Sequence, residues 1–374
     1  MQGGRLLIFA NIKPKPPISH EGLVVVKTNL NQIGKSGAAG KFAAVFGLFM
    51  VSTLCLTAPL TPFMSQIRLP AGVTDTQIQT ALDTLPASGG EVILPVGRFE
   101  IHHPIVLRRD HQTLRGSGPT TILALADGAN CPVIILGEPV NHPHKTVRFL
   151  RVSDLVIDGN RIHQQRELWH LSGEGSQIRN NGITVQGVSD SIIEHLTAAR
   201  CRSGGLVTTL GVQRLTVRGL DAFDNQFDGL ACYHTTDSLF TELFLHDNPG
   251  AGISLDLAFN HNIIRHAVLA ANDLGIFMRS SRGNLFQDVS IFNSHHYGVF
   301  MAHVDQLTMQ GLKAAPQTAC VQNSFTNLVA SNCGDAAFRV NNASCVDNVI
   351  VGAQFGNNEK GGLSLVEPDL VTLQ

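Results

Sequence analysis

The chain has 374 residues, with 27 Lys and Arg against 29 Asp and Glu, a formal charge of −2, 15% charged residues, 36 Gly, 1 Trp and 2 Tyr. This excludes a disordered chain, which needs low hydrophobicity with high net charge, and a coiled coil, which needs far more charge; collagen is excluded because the glycines follow no three-residue period. At 43% apolar the chain is globular or a solenoid, with length for one large domain or two ordinary ones.

Residues 1–41 carry Arg5, Lys13, Lys15, Lys27, Lys35 and Lys41 against Glu21, so this arm is net +5 and the remainder net −7. A mildly acidic body without a dense Lys/Arg stripe lacks the electrostatic footprint of nucleic-acid binding, and no nucleic-acid partner is expected. Phe42 to Ala58 is an uncharged, mostly apolar run of 17 residues, followed by Pro59 and Pro62. It is short for a membrane span of about 20 residues and reads as a signal peptide cleaved after Ala58, with an uncleaved N-terminal membrane anchor as the alternative. The basic arm is long for such a signal, which suggests a true start nearer Gly34. The expected organisation is a leader over 1–58, a linker over 59–73 and one domain over 74–374, placed in the periplasm, at the cell surface or outside the cell. Beyond the leader stand Cys131, Cys201, Cys232, Cys320, Cys333 and Cys345. Six buried thiols and disulfide pairing both remain open, and the absence of any C-x-x-C pair argues against a cysteine-based zinc site.

Residues 74–85 read TDTQIQTALDTL, placing Ile78, Ala81, Leu82 and Leu85 at helical spacing behind the capping residues Thr74 and Asp75. After this helix come Gly89-Gly90, the strand EVILPVGRFEI, then LRGSG and LVIDGN. From Gly182 a period takes over: Gly182, Gly205, Gly229, Gly252, Gly275 and Gly298 stand 23 or 24 residues apart, and the register resumes at Ala337 and Gly362. One residue past each stand Ile183, Leu206, Leu230, Ile253, Ile276, Val299, Phe338 and Leu363, and three past it Val185, Thr208, Cys232, Leu255, Met278, Met301, Val340 and Leu365. That is the period-2 pattern of a strand with one buried face. A second apolar position is expected about ten residues later, at Ile192, Leu215, Leu239, Ile263, Leu285, Phe325 and Val349.

A coil of about 23 residues without helical periodicity, stacking its strands on the next, is a parallel β-helix. The fold class is therefore all-β, a single-stranded parallel β-helix with an N-terminal capping helix, since an open solenoid end exposes its core and unpaired strand edges. The cap is expected over 74–125 and regular coils over 181–367. Asn225, Asn248, Asn272, Asn293, Asn332 and Asn357, just before the glycine positions, suit corners where side chains bond the backbone and stack.

The run from Ile78 to Leu123, with LPVGRFEI and LRGSG, followed by LVIDGN, resembles the start of pectin-lyase-like right-handed β-helix proteins, and the resemblance extends over 74–367. It implies right-handed coiling and a glycan groove along the glycine-led sheet. The superfamily includes pectate and alginate lyases, polygalacturonases, mannuronan C5-epimerases and phage depolymerases. The Asn-Thr-Asp, Asp-Asp, Gly-His-Gly and Arg-Ile-Lys motifs of polygalacturonases are absent, as is the Asp-Pro-His-Glu segment of mannuronan epimerases, so no residue roles transfer.

The outward positions four past each glycine are Gln186, Thr209, Tyr233, Asp256, Arg279, Ala302, Asn341 and Val366. Stacked coils should bring Tyr233, Asp256 and Arg279 into one surface line of about 10 Å, with His234 beside Tyr233 and His303 beside Ala302. These side chains suit proton abstraction from a uronate. Arg279 would neutralise the carboxylate, Tyr233 or His234 would serve as base or acid, and Asp256 would orient a partner or hold Ca²⁺. The plain alternative is a cross-coil salt bridge between Asp256 and Arg279. Hydrolysis needs two carboxyl groups about 5–9 Å apart; the nearest pair is Asp256 with Asp228, which is expected to be a turn residue.

Two irregular segments flank the groove: 161–179, with Arg161, Arg166 and Trp169, and an insertion within 303–320 that includes Lys313. Arg161, Arg166, Trp169, His303 and Arg339 are the candidate substrate-binding residues. His295-His296, His102-His103 and His142-Pro143-His144 are seeds for a metal site, but adjacent histidines on a strand point to opposite faces, so no metal is assigned; copper-associated periplasmic β-helix proteins keep that question in view. The function expected is that of a lyase or C5-epimerase on an acidic polysaccharide, with a non-catalytic glycan-binding scaffold as the rival and a membrane contact only through the N-terminal anchor.

Overall fold

The structure, a computed structural model, describes residues 65–165, 179–303 and 319–374. The helix, α1, spans Asp75–Thr84 and begins as its sequence dictates. Thr74 accepts from the Gln77 backbone while the Gln77 side chain accepts from the Thr74 backbone at 2.9 Å, a reciprocal capping box. Its buried face, Ile78, Ala81 and Leu82, packs on the first coil, and Leu85 beyond its end is buried too. Asp75 also ties the helix to the coil by accepting from the backbones of His102 and His103 at 2.9 and 2.8 Å. Ser65–Arg68, inside the expected linker, is instead a strand paired in parallel with Gly90–Ile93, so the solenoid starts earlier than its composition suggests. The expected leader over 1–58 and its apolar run lie outside the described residues. Among the described residues no helix is long and apolar enough to cross a membrane.

Among the described residues all pairings between strands are parallel, in a ten-stranded and a nineteen-stranded sheet; the chain is a parallel β-helix. In the ten-stranded sheet the seven glycine-following residues from Ile183 to Leu363, with Phe338 after Ala337, form one unbroken register. The ladder continues upstream through Ile134 and Ile105, within residues expected to be cap or irregular, where no glycine announces it. The glycines recur for want of room. A Cβ on Gly205 would stand 2.7 Å from the carbonyl oxygen of Gly229, and one on Gly275 would stand 2.4 Å from that of Gly298.

The nineteen-stranded sheet bends at left-handed residues five apart, as at Asp190, His195 and Arg200 or Asp237, Glu242 and Asp247. Each such L-residue costs about 1–2 kcal/mol, and the corners keep it low by using mostly Asp, Asn, His and Gly. Asn225, Asn248 and Asn272 form the expected ladder, with Nδ2 donating to the next Oδ1 at 3.1 and 2.9 Å. Asn293, Asn332 and Asn357 are left-handed corner residues, and Asn332 Nδ2 donates to Asn293 Oδ1 at 3.2 Å, so that pair stacks across coils too. A second buried ladder, Asn262, Asn284, Asn323 and Asn348, lines another corner. At five coils the second apolar position needs correcting by one residue; Phe325 lies in the core row as expected, and Leu215 is itself buried, two places before Val217 of that row. Ile192 and Ile263 face solvent, 40% and 39% exposed, whereas the core row is Ile193, Val217, Phe240, Ile264, Phe286, Phe325 and Ile350. Two apolar neighbours in sequence left the face undecided, and the bend after each corner reset the alternation.

Candidate functional site

The site lies on the outer face of the ten-stranded sheet. In strand Leu230–Tyr233 the residues Leu230 and Cys232 point into the core, so Ala231 and Tyr233 face out. The same alternation turns out Ser254 and Asp256 in Ala251–Asp256, Phe277 and Arg279 in Leu274–Arg279, and Phe300 and Ala302 in Val299–Ala302. Tyr233 is in register with Asp256, and Arg279 with Ala302. The expected line Tyr233, Asp256, Arg279 is thus assembled.

Within it, Arg279 Nη2 donates to Asp256 Oδ2, and the Asp256 side chain is 3% exposed against 31% for Arg279. Asp256 Oδ1 accepts from the Leu257 backbone at 2.8 Å. Burial nonetheless raises the Asp256 carboxyl above its ordinary pKa, with the Arg279 charge opposing. The guanidinium also stands 5.1 Å from the centre of the Phe277 ring. Arg279 and Asp256 are therefore committed to one another.

Beside this pair opens a cavity of about 160 Å³ whose lining includes Arg179, Ser203, Phe227, Asp228, Ala231 and Tyr233. Burial pushes the Asp228 carboxyl up to about 6, against the Ala251 backbone N–H, which it accepts at 2.8 Å, and the charge of Arg179. Burial, then the Asp228 and Asp256 charges, pushes the Tyr233 phenol up to about 12. Near neutral pH this places a carboxyl able to exchange a proton, a phenol that keeps its own and a guanidinium around one cavity.

His234 follows Tyr233 with a left-handed backbone, φ 44. Its Nε2 is buried without a hydrogen-bond partner, and burial lowers its pKa, so the ring is neutral at pH 7. The expected binding residues are dispersed. Arg161 bonds the Asp224 carbonyl at 2.8 Å and its carboxylate at 2.7 Å, joining a corner rather than the groove. Arg339, in register with Phe300, donates to Ser364 at 2.7 Å and Asn341 at 3.0 Å. His303 meets the Ser344 hydroxyl at 3.0 Å. Arg166, Trp169 and Lys313 lie outside the described residues.

Sequence reasoning missed an aromatic row. Phe277 and Phe300 stack with centroids 5.9 Å apart and planes at 11°, and Tyr297 stands 5.0 Å from Phe300. The signal was present, because the coils GIFMR and GVFMA repeat an aromatic two residues past the glycine. Asp228, expected from the sequence to be a turn residue, lines the cavity with Tyr233. The histidine seeds are engaged with carboxylates: His103 with Asp75 at 3.3 Å, His144 with Glu138 at 3.7 Å and His296 with Asp273 at 2.7 Å.

A family model described as periplasmic copper-binding protein (NosD) matches residues 153–368, more than half of the sequence, and the chain belongs to that family. Mannuronan C5-epimerase AlgE1 of Azotobacter vinelandii is 27% identical over 192 residues, covering 48% of this chain and 13% of that protein. The chain therefore spans only a small part of the length of this curated relative. Among solved structures, the A-module of mannuronan C-5 epimerase AlgE6 of Azotobacter vinelandii is 15% identical with a TM-score of 0.50, covering 80% of this chain and 93% of that one. The alginate lyase of Paenibacillus sp. str. FPU-7 is 10% identical with a TM-score of 0.55, covering 82% and 99%. These structures share the fold.

Proposed function

We propose that this member of the NosD family is an exported enzyme that abstracts the C5 proton of a uronate in an acidic polysaccharide, as a lyase or a C5-epimerase. The observation that carries the reading is the cavity where Arg179, Asp228 and Tyr233 meet beside the Asp256–Arg279 pair. A C5 proton is acidic only when the adjacent carboxylate is neutralised, a task for Arg179. Asp228, held near 6, takes the proton as general base. Tyr233, protonated across the working pH range, then gives its proton to the glycosidic oxygen as the C4–O4 bond breaks, leaving a C4–C5 double bond. If Tyr233 instead protonates C5 from the opposite face, the product is the epimer. The Asp256–Arg279 pair fixes the floor beside the cavity, and the Phe277 and Phe300 rings continue the face with surface on which a pyranose stacks. The curated relative and the two solved structures named above, mannuronan epimerases and an alginate lyase, support this choice of chemistry.

The family description names copper. Among the described residues no three His, Cys, Asp or Glu side chains converge as a metal-binding group, and His103, His144 and His296 are engaged with carboxylates. These residues do not fit a copper site, and no step of the proposed reaction runs through copper.

The test is ultraviolet absorbance of unsaturated uronate on incubating the protein with alginate, pectate and glycosaminoglycans, with and without Ca²⁺, alongside proton NMR of the polymers for epimerised residues. A rise in absorbance or a change in uronate configuration on one polymer is expected. Neither signal on any polymer would leave a glycan-binding scaffold as the better reading.

A further inference from the structure

All six described cysteines are free thiols, and five of them are buried. Most have no cysteine neighbour on adjoining coils; Cys232, for example, is in register with Thr208 and Leu255. Cys320 and Cys345 differ. They lie one coil apart, where Gln322 N donates to Val346 O at 3.3 Å. Cys320 N donates to Cys345 Sγ at 3.4 Å, and both sulfurs lie against the Ala302 carbonyl oxygen, at 3.8 and 3.6 Å. We propose that Cys320 and Cys345 are a disulfide-forming pair that staples the coil carrying the insertion after His303 to the coil below it.

The geometry is suited to the bond. Facing residues on neighbouring parallel strands have Cα atoms about 4.8 Å apart, inside the roughly 4.4–6.8 Å span that disulfides bridge. Both side chains are fully buried, where two thiolates would pay heavily for lost hydration and a neutral disulfide would not. The pair is also asymmetric in the way exchange requires. The Cys320 thiol bonds to Cys345 and lowers its pKa, while burial raises that of Cys320, so Cys345 is the attacking sulfur. The Cys345 thiolate attacks an external disulfide such as oxidised glutathione and expels one of its sulfurs as a thiolate. Cys320, deprotonated, then attacks Cys345 Sγ in the mixed disulfide and expels the second. Two protein thiols are oxidised, one external disulfide is reduced, and the two protons that the protein thiols give up pass to the two expelled thiolates, which leave as thiols. Because the pair is sealed in the finished coil, the exchange occurs before the coil closes or during local opening.

The full chain, unfolded and reduced, is refolded in a glutathione redox buffer and in parallel under full reduction, and far-ultraviolet circular dichroism establishes that both products carry the same fold. Both are then unfolded, alkylated and mapped by peptide mass spectrometry. The oxidised product is expected to be lighter by two hydrogens before alkylation, to yield one peptide pair joining Cys320 to Cys345, and to be alkylated at the other five cysteines of the sequence. C345S is expected to leave Cys320 alkylated with no replacement link. Alkylation of every cysteine in the folded oxidised product, or a link between any other two, would overturn the proposal. Because the refolding measures the chemistry of the pair directly, the result is independent of whether the protein is exported or acts on polysaccharide.

Discussion

Asp228→Asn should make the protein more stable at neutral pH while removing its turnover. Burial lifts the Asp228 carboxyl from an ordinary 3.8 to about 6, so the native state holds a proton that the unfolded chain releases. Two pKa units correspond to about 3 kcal/mol at 1.36 kcal/mol per unit, and partial exposure at the cavity mouth reduces this to about 1–2 kcal/mol. Asn keeps the oxygen that accepts from Ala251 at 2.8 Å, so the substitution removes the ionisation without the hydrogen bond. Below about pH 4 the carboxyl is protonated in both states and the substitution is neutral. As pH rises from about 4 to 6 the unfolded chain ionises first and the wild type loses stability relative to the variant, and above about pH 7 the difference is constant. Guanidinium denaturation followed by circular dichroism at several pH values gives the stability, and unsaturated-uronate absorbance or proton NMR gives turnover. A variant less stable than wild type at neutral pH, or one whose gain does not vary with pH, would refute the buried-carboxyl reading. Retained turnover would refute the base assignment.

Tyr233→Phe keeps the ring and its packing and removes the proton, so turnover is expected to fall by on the order of 10²-fold or more with an unchanged denaturation midpoint; an unchanged rate would move the acid elsewhere. Arg279→Ala leaves Asp256 buried without its cation and is expected to cost about 3 kcal/mol in denaturant unfolding, with a smaller loss for the double variant Asp256→Asn, Arg279→Met. Asn323→Ala removes bonds to Ser281 O and Asn348 Oδ1, both at 3.1 Å, and those accepted from Asn284 N and Nδ2 at 3.2 and 2.9 Å. Those groups would be left unpaired in the core, for an expected loss of about 2–4 kcal/mol in the same assay; a loss well under 1 kcal/mol would show that the ladder does not hold the corner.

The fold was legible because its physics repeats. From Gly182 to Gly298 each coil has a glycine where a Cβ would crowd the next coil and buries the side chains one and three places on, so Gly205, Leu206 and Thr208 predict Gly229, Leu230 and Cys232. The upstream coils at Ile105 and Ile134 escaped notice because no glycine marks them, although their apolar triplets IVL and IIL sit in the same register. The sheet face beyond most bends, though not at Phe325, was misassigned by one residue because a left-handed corner interrupts alternation, and αL is a backbone state that Asp, Asn, His and even Arg occupy here without a unique sequence mark.

The site was only half legible, and the reason lies in how rows behave in a solenoid. A row that serves the fold keeps its chemistry from coil to coil, as Asn225, Asn248 and Asn272 do. The position just before each glycine does not: it runs Gly204, Asp228, Ala251, Leu274 and Tyr297. Asp228 was read as one more corner residue beside Asn225, yet it lies three places on, in a row that no ladder requires. A carboxylate that appears once in a variable row, with its pKa lifted by burial and a phenol and a guanidinium around the same cavity, is not explained by stacking. Departure from the row, rather than residue type alone, is the mark by which the sequence singles out Asp228, and the same criterion singles out Tyr233, Asp256 and Arg279, whose row changes identity at every coil.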